Sequence, residues 1–340
     1  MDLRPVEAAW REFRAGRPSG EMLRTSLKYR ASYVKFVGLT TLPAEVALPI
    51  GIPLTLVDDG TLAVPSELID DHVVRSAMVN TIHVWAAYRE SKTIYEVEPY
   101  LAECLSRTPW PDKTPVEALR LRSICPVLML PENGKTVPIA ATYDLIGGGP
   151  KEGSASLGLR LSKLISPFWG PLEFFHLVGQ DLGACFRAGR EMIVDVDRLG
   201  NRNEDSSRRE ALGRLALTVL LYLAGDPDVV RVVHPGHKPA IKESLRNREP
   251  ERYKDLRDPA VHAVGKSFTR AIERWELDHN SEVSGVTGRS VRPHMRRAHA
   301  HLYWTGEGRK FPRVRFLLPV SVKGGKLVEE PGSPSVTVVR

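Results

Sequence analysis

Apolar residues recur at helical spacing early in the chain. Val6, Trp10 and Phe13 form one set, and Leu23, Leu27, Ala31, Val34 and Val37 a second; each falls on one face of a 3.6-residue helix. The Pro-rich run from Leu42 to Pro53 breaks helix, and Leu54 to Val64 reads as a short hairpin turning at Asp58-Asp59-Gly60. Pro65-Ser66 then starts a long helix through about Arg89, with Ile69, Val73, Met78, Ile82 and Trp85 as its stripe. A short helix follows at Pro99 to Ser106, then a Pro-rich loop from Pro109 to Pro115. The pattern next changes period. Ile124 to Leu130, Val137 to Ile146, Ser156 to Ile165 and Leu172 to Val178 are apolar or alternating runs separated by turn-formers, among them Glu132-Asn133-Gly134 and Gly147-Gly148-Gly149-Pro150. Connections that short predict an antiparallel meander.

Helical spacing returns at residues 180–193 and 205–224, the latter ending at Gly225-Asp226-Pro227. Val229 to His234 is a strand candidate. His237 to Asp258 is polar, carries both charges and lacks a period, which predicts a surface excursion. Residues 259–277 have a helix-like pattern. Met295 to Trp304 and Val314 to Val322 predict a hairpin across Gly306-Glu307-Gly308. Strands and helices run in blocks rather than alternating. The expected fold is therefore α+β, a predominantly antiparallel β-sheet with packed helices and a C-terminal basic hairpin. The expected organisation is an N-terminal segment (1–65), a core domain (66–323) and a flexible tail (324–340).

Composition narrows the function classes. The 340 residues are 42% hydrophobic and 26% charged, values of a globular chain rather than a fibrous or disordered one. The longest apolar stretch, Leu215 to Ala224, is about half of what spans a bilayer. Charges interrupt the first 15 residues, so neither a signal peptide nor a membrane partner is expected and the location is expected to be cytoplasmic. Cys104, Cys125 and Cys185 are odd in number and far apart, without a CxxC, which argues against a disulfide framework or a cysteine zinc site. Neither Gly147–Ser154 nor Gly265-Lys266-Ser267 meets the spacing of a phosphate loop; the second has Ala260 where the first glycine belongs. His234-Pro235-Gly236-His237 reads as a turn, and Trp169-Gly170-Pro171 with Phe174 and Phe175 as core.

The net charge of +7 is a local feature. Between Arg289 and Arg315 stand eight basic residues, Arg289, Arg292, Arg296, Arg297, Arg309, Lys310, Arg313 and Arg315, against Glu307 alone, so the rest of the chain is balanced. Three of the ten histidines, His294, His299 and His301, fall within eight residues of the same region. Strand alternation puts Arg297, His299, His301 and Tyr303 on one face and Ala298, Ala300, Leu302 and Trp304 on a core-like face. In the return strand Arg313 and Arg315 oppose Val314 and Phe316. The candidate binding residues are Arg292, Arg296, Arg297, His299, His301, Tyr303, Arg309, Arg313 and Arg315. Guanidinium forks suit a phosphate, a carboxylate or an acidic peptide; the same pattern also fits the solvated face of a half-buried sheet. His299 and His301 are a His-x-His pair without an identifiable third metal ligand, and no carboxylate pair or activated nucleophile accompanies them.

Several segments together resemble a known family. Trp85–Val97 (WAAYRESKTIYEV), Thr114–Leu130 (TPVEALRLRSICPVLML), Ala216–Val229 (ALTVLLYLAGDPDV) and Ser290–Val320 (SVRPHMRRAHAHLYWTGEGRKFPRVRFLLPV) are similar, in the same order, to a family of phage and other mobile genetic elements. Its best-known member is a type V-A anti-CRISPR protein that lowers the messenger RNA of the CRISPR effector nuclease. The last segment is the specific one. Departures fall at Ala300, where relatives carry a large aromatic; at Leu317-Leu318-Pro319, where they have a longer Pro-rich ending; and at Pro126, after Cys125, where they have an aromatic strand.

The resemblance implies a non-catalytic, polypeptide-binding regulator without cofactor or metal. It would recognise the nascent N-terminus of a target polypeptide on the translating ribosome, with loss of the target mRNA following. Two alternatives come from the residues themselves. The basic patch at 289–315, interleaved with Tyr303, Trp304, Phe311 and Phe316, fits RNA or DNA binding, although the alternation turns Trp304 to the core. His299 and His301 with the arginines fit a nuclease.

Overall fold

The computed structural model describes residues 4–16, 72–146, 156–165, 168–177, 181–185, 206–225, 230–236, 243–266, 294–296, 299–317 and 320–322. The second N-terminal stripe, the Pro-rich run, the hairpin at 54–64, the glycine loop at 147–153, residues 186–193 and the tail lie outside them.

The frame is a seven-stranded sheet of β1 (Thr93–Val97), β2 (Pro126–Glu132), β3 (Lys135–Ile146), β4 (Ser156–Ile165), β5 (Phe168–His176), β6 (Val230–Pro235) and β7 (Ala260–Val264), in the order β5-β4-β3-β2-β1-β7-β6. Four of the six pairings are antiparallel, including the β2–β5 meander expected from the short connections. The centre differs: β1 pairs parallel with both β2 and β7. A parallel neighbour needs a crossover, and α3 (Pro99–Ser106) with the 3-10 turn Val116–Ala118 supplies it between β1 and β2.

Both faces of the sheet are covered, and the side-chain alternation of β2 shows it. Val127 and Met129 face one apolar cluster, which holds α1 (Arg4–Ala15) and α2 (His72–Ser91); Leu128 and Leu130 face the other, which holds α3 and α4 (Ser206–Gly225). The stripe Val6, Trp10 and Phe13 is buried on α2, as its spacing predicts. Trp85 sits between the rings of Trp10 (5.5 Å), Phe13 (6.0 Å), Tyr88 (5.5 Å) and Trp169 (5.2 Å). Buried polar groups fix how α2 lies on the sheet. Asn80 donates to the Ser162 hydroxyl (3.2 Å) and to the Trp169 carbonyl (2.5 Å), the Trp169 amide donates to Thr81 Oγ1 (2.8 Å), and His83 Nε2 meets Thr142 Oγ1 (3.1 Å).

Three sequence expectations need correction. β1 has no counterpart in the sequence pattern, because five residues between two helices leave no room for a visible alternation. The helix-like pattern at 259–277 begins with a strand, β7, buried between β1 and β6; its apolar run Ala260-Val261-His262-Ala263-Val264 is as compatible with a central strand as with a helix. The polar stretch 237–258 is more than a surface excursion. It forms α5 (Glu243–Arg248) and α6 (Pro250–Leu256), and the end of α6 is tied to α1 and α2.

That tie is a compact charge cluster. Arg89, 5% exposed, donates from Nε to Asp255 Oδ1 at 2.6 Å. Lys92, 2% exposed, donates from Nζ to the carbonyls of Asp255 (3.0 Å) and Arg257 (2.6 Å) and lies 5.2 Å from the Trp10 ring centroid. Arg14 reaches the Asp255 carboxylate at 3.5 Å, and Tyr88 donates to Glu7 at 2.6 Å. The last carbonyls of α6 are thus capped by cations, as the helix dipole favours. Lys92 also ends α2 in the left-handed region, with φ 41°, where a residue without a Cβ would be the ordinary choice. Burial pulls the ammonium of Lys92 down to about 8 and pushes the hydroxyl of Tyr88 up.

Candidate functional site

The C-terminal segment forms a ribbon of β8 (His294–Arg296), β9 (His299–Thr305), β10 (Phe311–Leu317) and β11 (Val320–Val322), with β9 paired to β10 and β8 to β11. The turn follows from its glycines. Gly306 and Gly308 hold φ of 79° and 68°, and a Cβ at Gly306 would lie 2.5 Å from the ring of Phe311. Thr305 Oγ1 donates to the Phe311 carbonyl at 3.1 Å and closes the turn.

The ribbon's inner face rests on α4. Val314 and Phe316 are buried there with Ala300 and Leu302 against them, and Phe316 meets Tyr222 edge-on at 5.9 Å. The approach is close: a Cβ on Gly225 would run into the carbonyl oxygen of Val314. From the side, Arg122 Nε donates to the Leu223 carbonyl at the end of the same helix (2.6 Å). The polar side chains of the ribbon therefore have a rigid support.

On the outer face the register brings the candidate residues together. Tyr303 stands opposite Arg313 and His301 opposite Arg315, and all four are exposed. The His301 and Tyr303 rings lie 4.5 Å apart. Phe311, 53% exposed, continues the face, and the guanidinium of Arg120 lies 5.9 Å from its ring centroid. Arg309 is exposed in the turn with φ 52°. His299 falls opposite Leu317, and Arg296 opposite Val320, by their backbone positions. Arg292 and Arg297 lie outside the described residues.

Trp304 departs from the expectation. Alternation puts it on the inner face with Leu302, yet it is 48% exposed. It pairs with Pro312 one step from the turn, beyond the stretch that α4 covers. Arg120 is the residue that sequence reasoning missed. It comes from the loop before β2, roughly 190 positions away in the chain, and only folding sets it beside Phe311.

Elsewhere, an open cleft of about 370 Å3 lies between α3, the β2–β3 turn and Leu215, lined by Glu103, Ser106, Glu132 and Lys135. Arg208 bonds Glu132 at 2.8 Å and holds its carboxyl below the usual range. Among the described residues no group of three ligating side chains is placed to hold a metal ion. Nor, among them, is any helix long and apolar enough to cross a membrane. Cys125 and Cys185 are buried and Cys104 half-buried, all as free thiols.

The overall fold is shared with a solved structure. The chain belongs to the AcrVA2-like family, the anti-CRISPR type V subtype A2 proteins, whose model matches residues 95–324, more than half of its length. The crystal structure of AcrVA2 is similar to this one with a TM-score of 0.57 at 17% identity, over 94% of this chain and 99% of that one. At that identity the likeness is one of fold. No curated protein matches.

Proposed function

We propose that this anti-CRISPR family member is a non-catalytic, polypeptide-binding regulator that acts in the cytoplasm. In this reading it recognises the N-terminus of a target polypeptide, a type V CRISPR effector by the family's class, as it emerges from the translating ribosome. Loss of the target mRNA follows. The observation that carries the reading is the outer face of β9 and β10, where His301, Tyr303, Arg313 and Arg315 are aligned and exposed. Charged and aromatic side chains held on a rigid ribbon are suited to an interface rather than to stability. Through this face the protein holds the complex of ribosome and emerging chain.

The test is affinity capture of the tagged protein from a translating bacterial lysate, with and without puromycin and RNase. Puromycin-sensitive ribosome association is expected, and joint alanine substitution of His301, Arg313 and Arg315 is expected to abolish it together with target repression. Unchanged association and repression in that variant would sink the assignment. Purified protein is expected to leave naked RNA and DNA uncut with or without divalent metal; cleavage would move the function to a nuclease.

A further inference from the structure

The outer face of the ribbon joins cations to flat rings. The His301 and Tyr303 rings, 4.5 Å apart and tilted by 37°, run beside Arg315 and Arg313, and Phe311 follows with Arg120 near its ring. A free carboxylate or phosphate uses the guanidinium groups alone. A polyanion carrying planar bases uses both, its phosphates on the arginines and its bases on the aromatic side chains. The bases must be free to unstack, which excludes a closed duplex.

We propose that the face of β9 and β10 from His301 to Phe311, extended by Arg120, binds single-stranded RNA. The choice of RNA over DNA rests on the ribosomal setting proposed above. Three observations carry the proposal: the register that aligns rings with arginines, the exposure of Phe311, and the convergence of Arg120 from a distant loop onto that end of the face. The inner face takes no part, since Val314 and Phe316 are committed to α4.

The experiment is fluorescence anisotropy of the purified full chain with a short oligouridylate, an oligothymidylate of equal length and a polyglutamate peptide across a salt series. RNA binding is expected to weaken with salt, with a log–log slope of about −0.7 per phosphate neutralised. The double variant Arg313→Ala/Arg315→Ala is expected to flatten that slope by roughly 1.4. Phe311→Ala is expected to weaken binding roughly ten-fold with the slope unchanged. Unchanged thermal unfolding shows that these variants still fold, and Arg107→Ala with Arg252→Ala, exposed just after α3 and on α6, are controls expected to bind as the parent does.

Absence of RNA binding, tighter binding of the DNA, binding of polyglutamate with RNA excluded, or insensitivity to both the arginine and Phe311 changes overturns the proposal. Failure here with puromycin-sensitive ribosome capture intact overturns the RNA assignment alone. Loss of that capture with RNA binding intact overturns the polypeptide reading alone.

Discussion

Around the end of α2, Arg14, Arg89, Lys92 and Arg257 lie among Trp10, Trp85 and Tyr88; on the ribbon, Arg313 and Arg315 lie beside His301, Tyr303 and Phe311. The residue classes are the same and the environments opposite. At α2 the cations are spent inward, on the Asp255 carboxylate, on the carbonyls that end α6 and on one another's neighbours, and the rings fill the core. On the ribbon the inner face packs on α4 through apolar side chains, so the cations and rings of the outer face stay in water. A buried cation must be matched where it stands, because its desolvation is costly. An exposed one keeps its binding capacity for a partner. The N-terminal cluster is thus a structural clasp, and the ribbon is the surface available for recognition.

Substitutions can break this contrast. The largest effect is expected from Trp85→Ala, which empties the space among four aromatic rings and costs about 3–5 kcal/mol, read as a shift of the denaturant midpoint. Asp255→Ala comes next at about 2–3 kcal/mol, below a fully buried pair, because it removes the 2.6 Å partner of Arg89 and leaves that cation only the longer 3.5 Å pair with Glu90; a loss below about 0.5 kcal/mol would show that the cluster is not a clasp.

Gly225→Ala is expected to cost about 1–3 kcal/mol by overpacking and to act on the other region. Hydrogen exchange should speed up in β9 and β10 and stay unchanged in α2.

Lys92 gives a pH signature. Its folded value of about 8 lies below its ordinary 10.5, so between those values the unfolded chain binds more protons and stability rises with pH. Tyr88, raised by burial, acts in the opposite sense above 10. The contribution of Lys92 is therefore read as the difference between the parent and Lys92→Met, with the parent gaining relative to the variant from about pH 8 upward. A parallel pair of curves would refute the burial argument. The smallest effect is expected from Trp304→Ala, within about 0.5 kcal/mol, although it has the same side chain as Trp85.

Elements with a sustained period were legible. The stripe of α1, the span of α3, the limits of β4 and the meander followed from spacing alone, because a period of 3.6 or 2 repeated over enough residues leaves one packing solution. Thr93–Val97 and Ala260–Val264 were not legible. Each is five residues of mostly apolar character, and a strand buried on both faces shows no alternation. On the ribbon, the pairing of arginines with His301 and Tyr303 was readable from alternation, whereas the exposure of Trp304 was not, since it depends on where α4 stops.

By itself the sequence determined α1 to α4, the meander, the local concentration of positive charge and the two-faced ribbon, because these depend on neighbours within a few residues. Only the tertiary structure decided that β1 is the parallel centre of the sheet, that Asp255 gathers cations from α1 and α2, and that Arg120 reaches Phe311. Those facts join residues far apart in the chain, and which distant charges are buried and matched, and which are left to water, is set by packing that no local pattern encodes.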